Sequence, residues 1–265
     1  MKYNFVLQEV NKFDAVEFVK THHYSPVMPR LTKHFLGCFL DDKMVGVITL
    51  GWGTQPLQTI RKLFPDLVTK HYFEIGKMCM HPDMPRNSES QMLSATIAWI
   101  KTHYPDKYFL YTWADGIVGK AGYVYQSANF RYGGFIWTDV YISSRGEKIH
   151  PRSSKELCRE NAVFSGKKKI FWLTYDFMKT KRIRRVKGKQ FRYIYPLNKT
   201  AKKMLRGSTV DWVIKYPKDI DLEWKQQTDS GYKKVSKPKF NMQVVVHNKK
   251  NIEINKKKFN NDFFE

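Results

Sequence analysis

The residues that could do chemistry fall in three places in this 265-residue chain. His22-His23-Tyr24-Ser25 closes an early amphipathic segment and is followed by a loop with two prolines. Lys77 interrupts an apolar run, FEIGKMCMHP, and the loop after it reads DMPRNSES. Asp115 ends a second apolar run, KYFLYTWAD, ahead of GKAGYVYQSANF with Tyr125. Imidazole, carboxylate and phenol are the groups that take and give protons in general acid–base catalysis. Arg86, with the free amides of a helix that starts near Asn87 or Ser88, suits an anion. Each feature also has a plain reading. Adjacent histidines in a loop are usually solvated, Asn87 or Ser88 serves as an ordinary N-cap, and Asp115 can cap the helix that follows it.

These groups need elements to position them. Residues 5–10 fit a strand, and 12–21 a helix, with Phe13, Val16, Phe18 and Val19 at near-helical spacing. Pro26 disfavours helix at the residue before it. Residues 34–41 and 44–52 form a hairpin about Asp41-Asp42-Lys43, with Gly46 and Gly51 as candidate bulges. One or two short helices are expected in 53–70, limited by Pro56 and Pro65. In the next strand Phe73, Ile75, Lys77 and Cys79 alternate with Glu74, Gly76, Met78 and Met80. A helix carrying Met92, Leu93, Ile97 and Ile100 follows, then a strand over 107–114, a helix over 117–128 and a strand over 135–142. Ligands in open sheets sit beyond carboxyl strand ends, which is where Asp115 stands.

Charge divides the chain. Residues 1–150 hold 17 basic and 13 acidic residues, while 151–265 hold 30 and 11. The expected organisation is therefore an ordinary globular part over 1–150 and a basic extension over 151–265. An excess of this size points to a polyanion, nucleic acid first, against a plain solubilising tail. In the extension, SGKKKIFWLTYDF suggests one more strand and NKTAKKMLRGS a short basic helix. KTKRIRRVKGKQFRYIYPL alternates cations with aromatics, either to meet nucleic acid or as a basic edge hairpin burying Phe191, Tyr193 and Tyr195. A linker-like stretch follows from about 225, and a last hairpin is expected about His247-Asn248. Cys38, Cys79 and Cys158 are odd in number and far apart, which argues against a disulfide framework and for a reducing compartment. No signal peptide or membrane span is read from the sequence, so a cytosolic protein is expected.

The element order β-α-β-β-α-β-α-β-α-β resembles the GNAT acyltransferase fold. The expected class is α/β (α+β), with a mixed central sheet flanked by helices. In that fold the strand–loop–helix at 72–102 is the donor-binding unit. Its loop is glycine-rich there, whereas MPRNSES holds no glycine.

HYSPVMP, EIGKM, PRNSES, YTWADGIVGKAGYVYQSANF, HPR and GKQFRYIYPL, in this order over roughly residues 20–200, are similar to the phage Mom family. The resemblance implies conversion of adenine in DNA to N6-carbamoylmethyladenine, which blocks host restriction enzymes. It implies catalytic roles for Tyr24, Ser90, Asp115 and Tyr125. Lys77 stands where relatives carry arginine, and Lys77, Arg86, Asn87 and Ser88 are the candidate donor-binding residues. Iron is associated with the family, with His23, Tyr24 and Asp115 as candidate ligands. The resemblance does not fix the acyl donor; acetyl-CoA or a related compound is the candidate, set against the absent glycine-rich loop. Double-stranded DNA is the expected partner, with a second copy of the chain as a further candidate, in the cytoplasm of the infected host. Tyr24, Trp113 or Tyr125 could stack a base flipped out of the duplex. Two other readings stand beside this one: a non-catalytic nucleic-acid binder on a GNAT-like shell, and an ordinary acyl-CoA N-acetyltransferase.

Overall fold

Asp41 and Asp42 both adopt the left-handed conformation, with φ of 48° and 62°. They form the two-residue turn of a hairpin in which Leu40 faces Lys43. Two consecutive left-handed residues match the right-handed twist of the flanking strands, and aspartate tolerates that conformation better than most side chains. The computed structural model describes residues 3–25, 27–53, 56–149 and 155–241. The hairpin expected about His247-Asn248 lies outside them.

In chain order the elements are β1 (Val6–Glu9), α1 (Lys12–His22), β2 (Thr32–Leu40), β3 (Lys43–Gly51), α2 (Pro56–Leu63), β4 (Tyr72–Met80), α3 (Ser88–His103) and β5 (Phe109–Asp115). Then come α4 (Tyr123–Ser127), β6 (Arg131–Ile142), β7 (Lys148–Ile149), α5 (Lys155–Phe164), α6 (Tyr175–Thr180), β8 (Arg184–Pro196), α7 (Lys199–Met204), β9 (Trp224–Thr228) and β10 (Gly231–Val235). The fold is mixed α/β, with a mostly antiparallel sheet flanked by helices. By their contacts the residues form two units, 1–138 with 188–224, and 139–187 with 225–265. The change of charge at residue 150 is one of composition, whereas these boundaries follow packing.

In the first unit the strand order is β1-β2-β3-β4-β5-β8. β4 and β5 are parallel, and the other registers are antiparallel. One core cluster sets Met92, Leu93, Ile97 and Ile100 of α3 against Leu36, Ile48, Leu50, Phe73 and Ile75 of the sheet. A second packs Ile60 and Leu63 of α2, with Phe64, on Tyr72, Phe109, Tyr111 and Ile194. A third packs Ala15 and Val19 of α1 on Val47 and Cys79. Phe13 is 69% exposed despite its helical spacing, because Ala15 and Val19 define the buried side of α1.

Three elements differ from the sequence reading. No strand forms over 165–174: Ile170 and Leu173 are buried while Phe171 and Trp172 are exposed, a pattern that does not alternate. The expected edge hairpin is a single strand, β8, which pairs with β5 from Phe109↔Pro196 to Asp115↔Gln190. Its aromatics Phe191 and Tyr193 are buried. The helix expected over 117–128 is broken, since Gly119 and Gly122 take φ of 86° and 92° and only 123–127 is α-helical.

The second unit has its own cluster of Leu173, Phe177, Met178 and Ile183. Asn161 orders the chain before α6: its amide donates to the Trp172 carbonyl at 2.6 Å and its carbonyl accepts from the Thr174 hydroxyl at 2.8 Å. Arg185 pairs with Asp139 at 2.6 Å.

Candidate functional site: a cleft between parting strands

β4 and β5 pair over three residues only, Tyr72–Glu74 against Phe109–Tyr111. Beyond them the strands part. The cause lies in β4, where Leu50 faces Ile75 but Thr49 faces Lys77, leaving Gly76 as an extra residue. A bulge changes which face the following side chains occupy. Phe73 and Ile75 lie in the α3-side core, and after the bulge so do Met78 and Met80. Cys79 joins the α1-side cluster instead. The simple alternation expected along this strand therefore fails at Gly76. A Cβ there would stand 2.9 Å from Pro29 Cγ and 3.1 Å from Thr49 Oγ1, so the close approach requires glycine.

The gap is a cavity of about 490 Å³. Its walls include residues 75–80 of β4, 112–115 of β5, the His22–Tyr24 segment and 119–125 around α4. Five of the candidate site residues singled out from sequence meet here: His23, Tyr24, Lys77, Asp115 and Tyr125. Lys120 and Glu89, which spacing did not single out, line the cavity with them.

The His23–Tyr24 pair is held from two sides. His23 Nδ1 lies 2.9 Å from both the amide nitrogen and the carbonyl oxygen of Ser25, so either tautomer finds a partner in this turn. Its ring stacks on Tyr24 with centroids 4.3 Å apart. The Lys77 ammonium donates to Ser25 Oγ at 3.1 Å, and the Lys77 amide donates to Thr49 Oγ1 at 2.9 Å. Burial, together with the charges of Lys77 and Lys120, pushes the His23 pKa down to about 4, so the imidazole is neutral at physiological pH. Lys120 Nζ stands 4.7 Å from the Tyr24 ring centre, a distance suited to cation–π attraction. Burial first, then the negative charge of Asp115, raises the Tyr24 pKa, and the phenol keeps its proton.

Asp115 stands in the cavity wall at the end of β5. Its carboxylate accepts from the Ile117 amide at 3.2 Å, capping a short turn. Tyr125 is also held as the neutral phenol by burial, against a weaker opposing hydrogen bond with Thr112. Its ring packs against Phe130 and Tyr193. Gln126, next in the chain, is a structural pin. Its side-chain amide donates to the Tyr193 hydroxyl at 3.0 Å and to the Pro217 carbonyl at 2.9 Å. Tyr193 in turn donates to the Ala121 carbonyl at 2.5 Å.

The DMPRNSES loop is arranged differently. Asn87 precedes α3 in the left-handed conformation, with φ of 74° and no side-chain cap. Ser88 is buried and donates to the Pro85 carbonyl at 2.6 Å. Ser90 donates to the Asn87 carbonyl at 2.9 Å. Arg86, Asn87, Ser88 and Ser90 are not among the residues that line the cavity. With no glycine and a single left-handed residue, this loop does not fit a pyrophosphate wrapped by glycine backbone. Nor does the donor set fit iron. Among the described residues no three His, Cys, Asp or Glu side chains are grouped to share a metal. His23 Nδ1 is engaged by Ser25, and the Tyr24 phenol is biased against the ionised form that metals bind.

Fold and cleft together define a mixed α/β protein with a tyrosine-lined cavity, holding Lys77 and Lys120 beside Glu89 and Asp115, at the opening of a parallel strand pair. Residues 4–218 match the model of the Mom protein family, and the chain belongs to that family. It is 32% identical over 204 residues to the methylcarbamoylase Mom of Escherichia phage Mu, across 77% of this chain and 80% of that protein. Among solved structures, an aminoglycoside acetyltransferase in complex with coenzyme A aligns at a TM-score of 0.38 and 8% identity, over 50% of this chain and 87% of that one. An N-acetyltransferase from Staphylococcus aureus aligns at 0.37 and 12%, over 74% and 99%. Among the described residues no helix is long and apolar enough to cross a membrane.

Proposed function

We propose that this chain is a transferase that converts adenine in phage DNA to N6-carbamoylmethyladenine and so protects that DNA from host restriction, acting in the cytoplasm of the infected cell. One observation carries the reading: in a member of the Mom family, Tyr24, Lys77, Lys120, Asp115 and Tyr125 converge on one cavity. The methylcarbamoylase activity of the phage Mu relative and the basic excess of residues 151–265 support it.

The adenine amine is a weak nucleophile because its lone pair is delocalised into the ring, and in a duplex it is paired and stacked. The base is flipped into the cleft, at roughly a few kcal/mol, where Tyr24 or Tyr125 offers a ring to stack on. As the amine attacks, a bond forms from N6 to the transferred carbon. The bond from that carbon to its leaving group breaks, and the leaving group takes the electron pair. N6 gives up one proton. Asp115 is the acceptor for that proton, and neutral His23 is the second base within the same walls. Lys120 and Lys77 stabilise negative charge that develops on the donor side. Both tyrosines hold their protons and act as hydrogen-bond donors.

The test is mass spectrometry of nucleosides from DNA of cells that express the chain, beside an Asp115→Asn variant. Asparagine keeps an oxygen for the Ile117 amide but is no base. The expected result is a deoxyadenosine heavier by the carbamoylmethyl group, lost in the variant. Unmodified DNA from cells holding soluble, DNA-binding protein would favour the non-catalytic binder. Acetylation of another substrate would favour the ordinary acetyltransferase.

A further inference from the structure

A second cavity, of about 480 Å³, lies in the same unit and shares one residue with the reaction cleft, Trp113. Its walls also include Tyr111, Arg192, Lys62, Ile136 and Thr209. Trp113 and Arg192 face each other across the β5–β8 register. The Arg192 guanidinium stands 5.4 Å from the Trp113 ring centre and hydrogen-bonds the Tyr111 hydroxyl. Its Nε is buried and has no hydrogen-bond partner among the described residues. The Tyr111 and Trp113 rings meet edge-to-face at 5.5 Å, an aromatic wall beside that cation. Lys62, at the basic last turn of α2, adds a second, exposed cation.

We propose that this cavity is a nucleotide subsite: it holds one base and phosphate of a polynucleotide strand next to the adenine that occupies the reaction cleft. This rests on the DNA-modifying reading above. An aromatic wall suits a base, and the forked guanidinium with the exposed ammonium suits a phosphate. Trp113, common to both cavities, separates the reacting base from its neighbour. The subsite thereby gives the enzyme a place to sense sequence context without touching the reacting atoms.

Fluorescence anisotropy with a labelled adenine-containing oligonucleotide, over a range of salt, tests this on the full chain. Lys62→Ala is expected to weaken binding several-fold and to reduce the slope of log K against log salt by about 0.9, the contribution of one phosphate. Arg192→Gln is expected to weaken it about tenfold or more. Lys62 is exposed, so its variant decides the matter if Arg192→Gln does not fold. Wild-type affinity and slope in Lys62→Ala would overturn the subsite. So would a loss seen for adenosine 3′,5′-bisphosphate and not for the oligonucleotide, which would assign the cavity to a donor. The two readings separate cleanly. If DNA from expressing cells stays unmodified while oligonucleotide binding still depends on Lys62 and Arg192, the reaction fails and the subsite stands.

Discussion

The Lys77 ammonium and the Ser25 hydroxyl, 52 residues apart in sequence, are 3.1 Å apart in the fold. This bond ties the bulged strand β4 to the residue just after His23 and Tyr24. A strand lysine thus anchors the turn that holds the histidine and adds to the burial that keeps it neutral. Lys77→Met removes one of the two cations that depress the His23 pKa. The expected outcome in an NMR titration is a rise from about 4 that stops short of the ordinary 6.5, because burial, the larger cause, remains. An unmoved His23 would show that Lys77 does not act on it.

The same histidine makes stability depend on pH. Its folded pKa of about 4 lies below its unfolded value of 6.5. Between these values the unfolded chain binds the extra proton, so its contribution to stability is intact above pH 6.5 and is lost as pH falls towards 4. His23→Gln should flatten that part of the stability curve, measured by urea denaturation at pH 4.5, 5.5 and 7. A curve as steep as wild type would place the dependence elsewhere.

Glu74 points the other way. Burial raises its pKa to about 7 from 4.5, and its carboxylate packs against Gly53. The folded state holds the proton while the unfolded state releases it, so stability declines as pH rises from 4.5 to 7. Glu74→Gln is expected to stabilise the protein at pH 8 by about 3 kcal/mol and to change little at pH 4.5. Thermal melts at both values check this, and equal effects at both would count against it.

Gln126 joins α4 to β8 and to Pro217 through bonds that span 67 and 91 residues. Gln126→Ala leaves the Tyr193 hydroxyl and the Pro217 carbonyl without this donor. A loss of about 1–3 kcal/mol is expected in chemical denaturation. A change under 0.5 kcal/mol (roughly the noise of a surface substitution) would show the pin to be dispensable.

Lys120 is exposed, so its removal should leave the fold intact. Lys120→Ala is expected to lower the yield of modified deoxyadenosine about tenfold, equivalent to about 1.4 kcal/mol of barrier, with a melting temperature close to wild type. Full modification by this variant would remove Lys120 from the chemistry proposed here.

Much of this protein was legible in its residues alone. The hairpin about Asp41-Asp42, helices α1 and α3 and strand β5 follow from local periodicity and turn chemistry, and the family was legible as a resemblance of motifs in their order along the chain. Asp115 could be singled out because a carboxylate at a strand end is visible in the sequence, whereas Tyr24 and Tyr125 are singled out by the resemblance to the Mom family. Three decisions belonged to tertiary structure. The Gly76 bulge depends on how β3 and β4 register, and it turns Lys77 towards Ser25 against the simple alternation of its strand. β8 lies beside β5 rather than at an edge, which brings Arg192 over Trp113 from 79 residues away. Lys120 reads as an ordinary exposed lysine until the left-handed Gly119 and Gly122 break the expected helix, and the fold sets its ammonium near Tyr24. Pattern reports what each segment prefers by itself. Which segments meet is set by the joint burial of surfaces distant in sequence, and no local window contains that information.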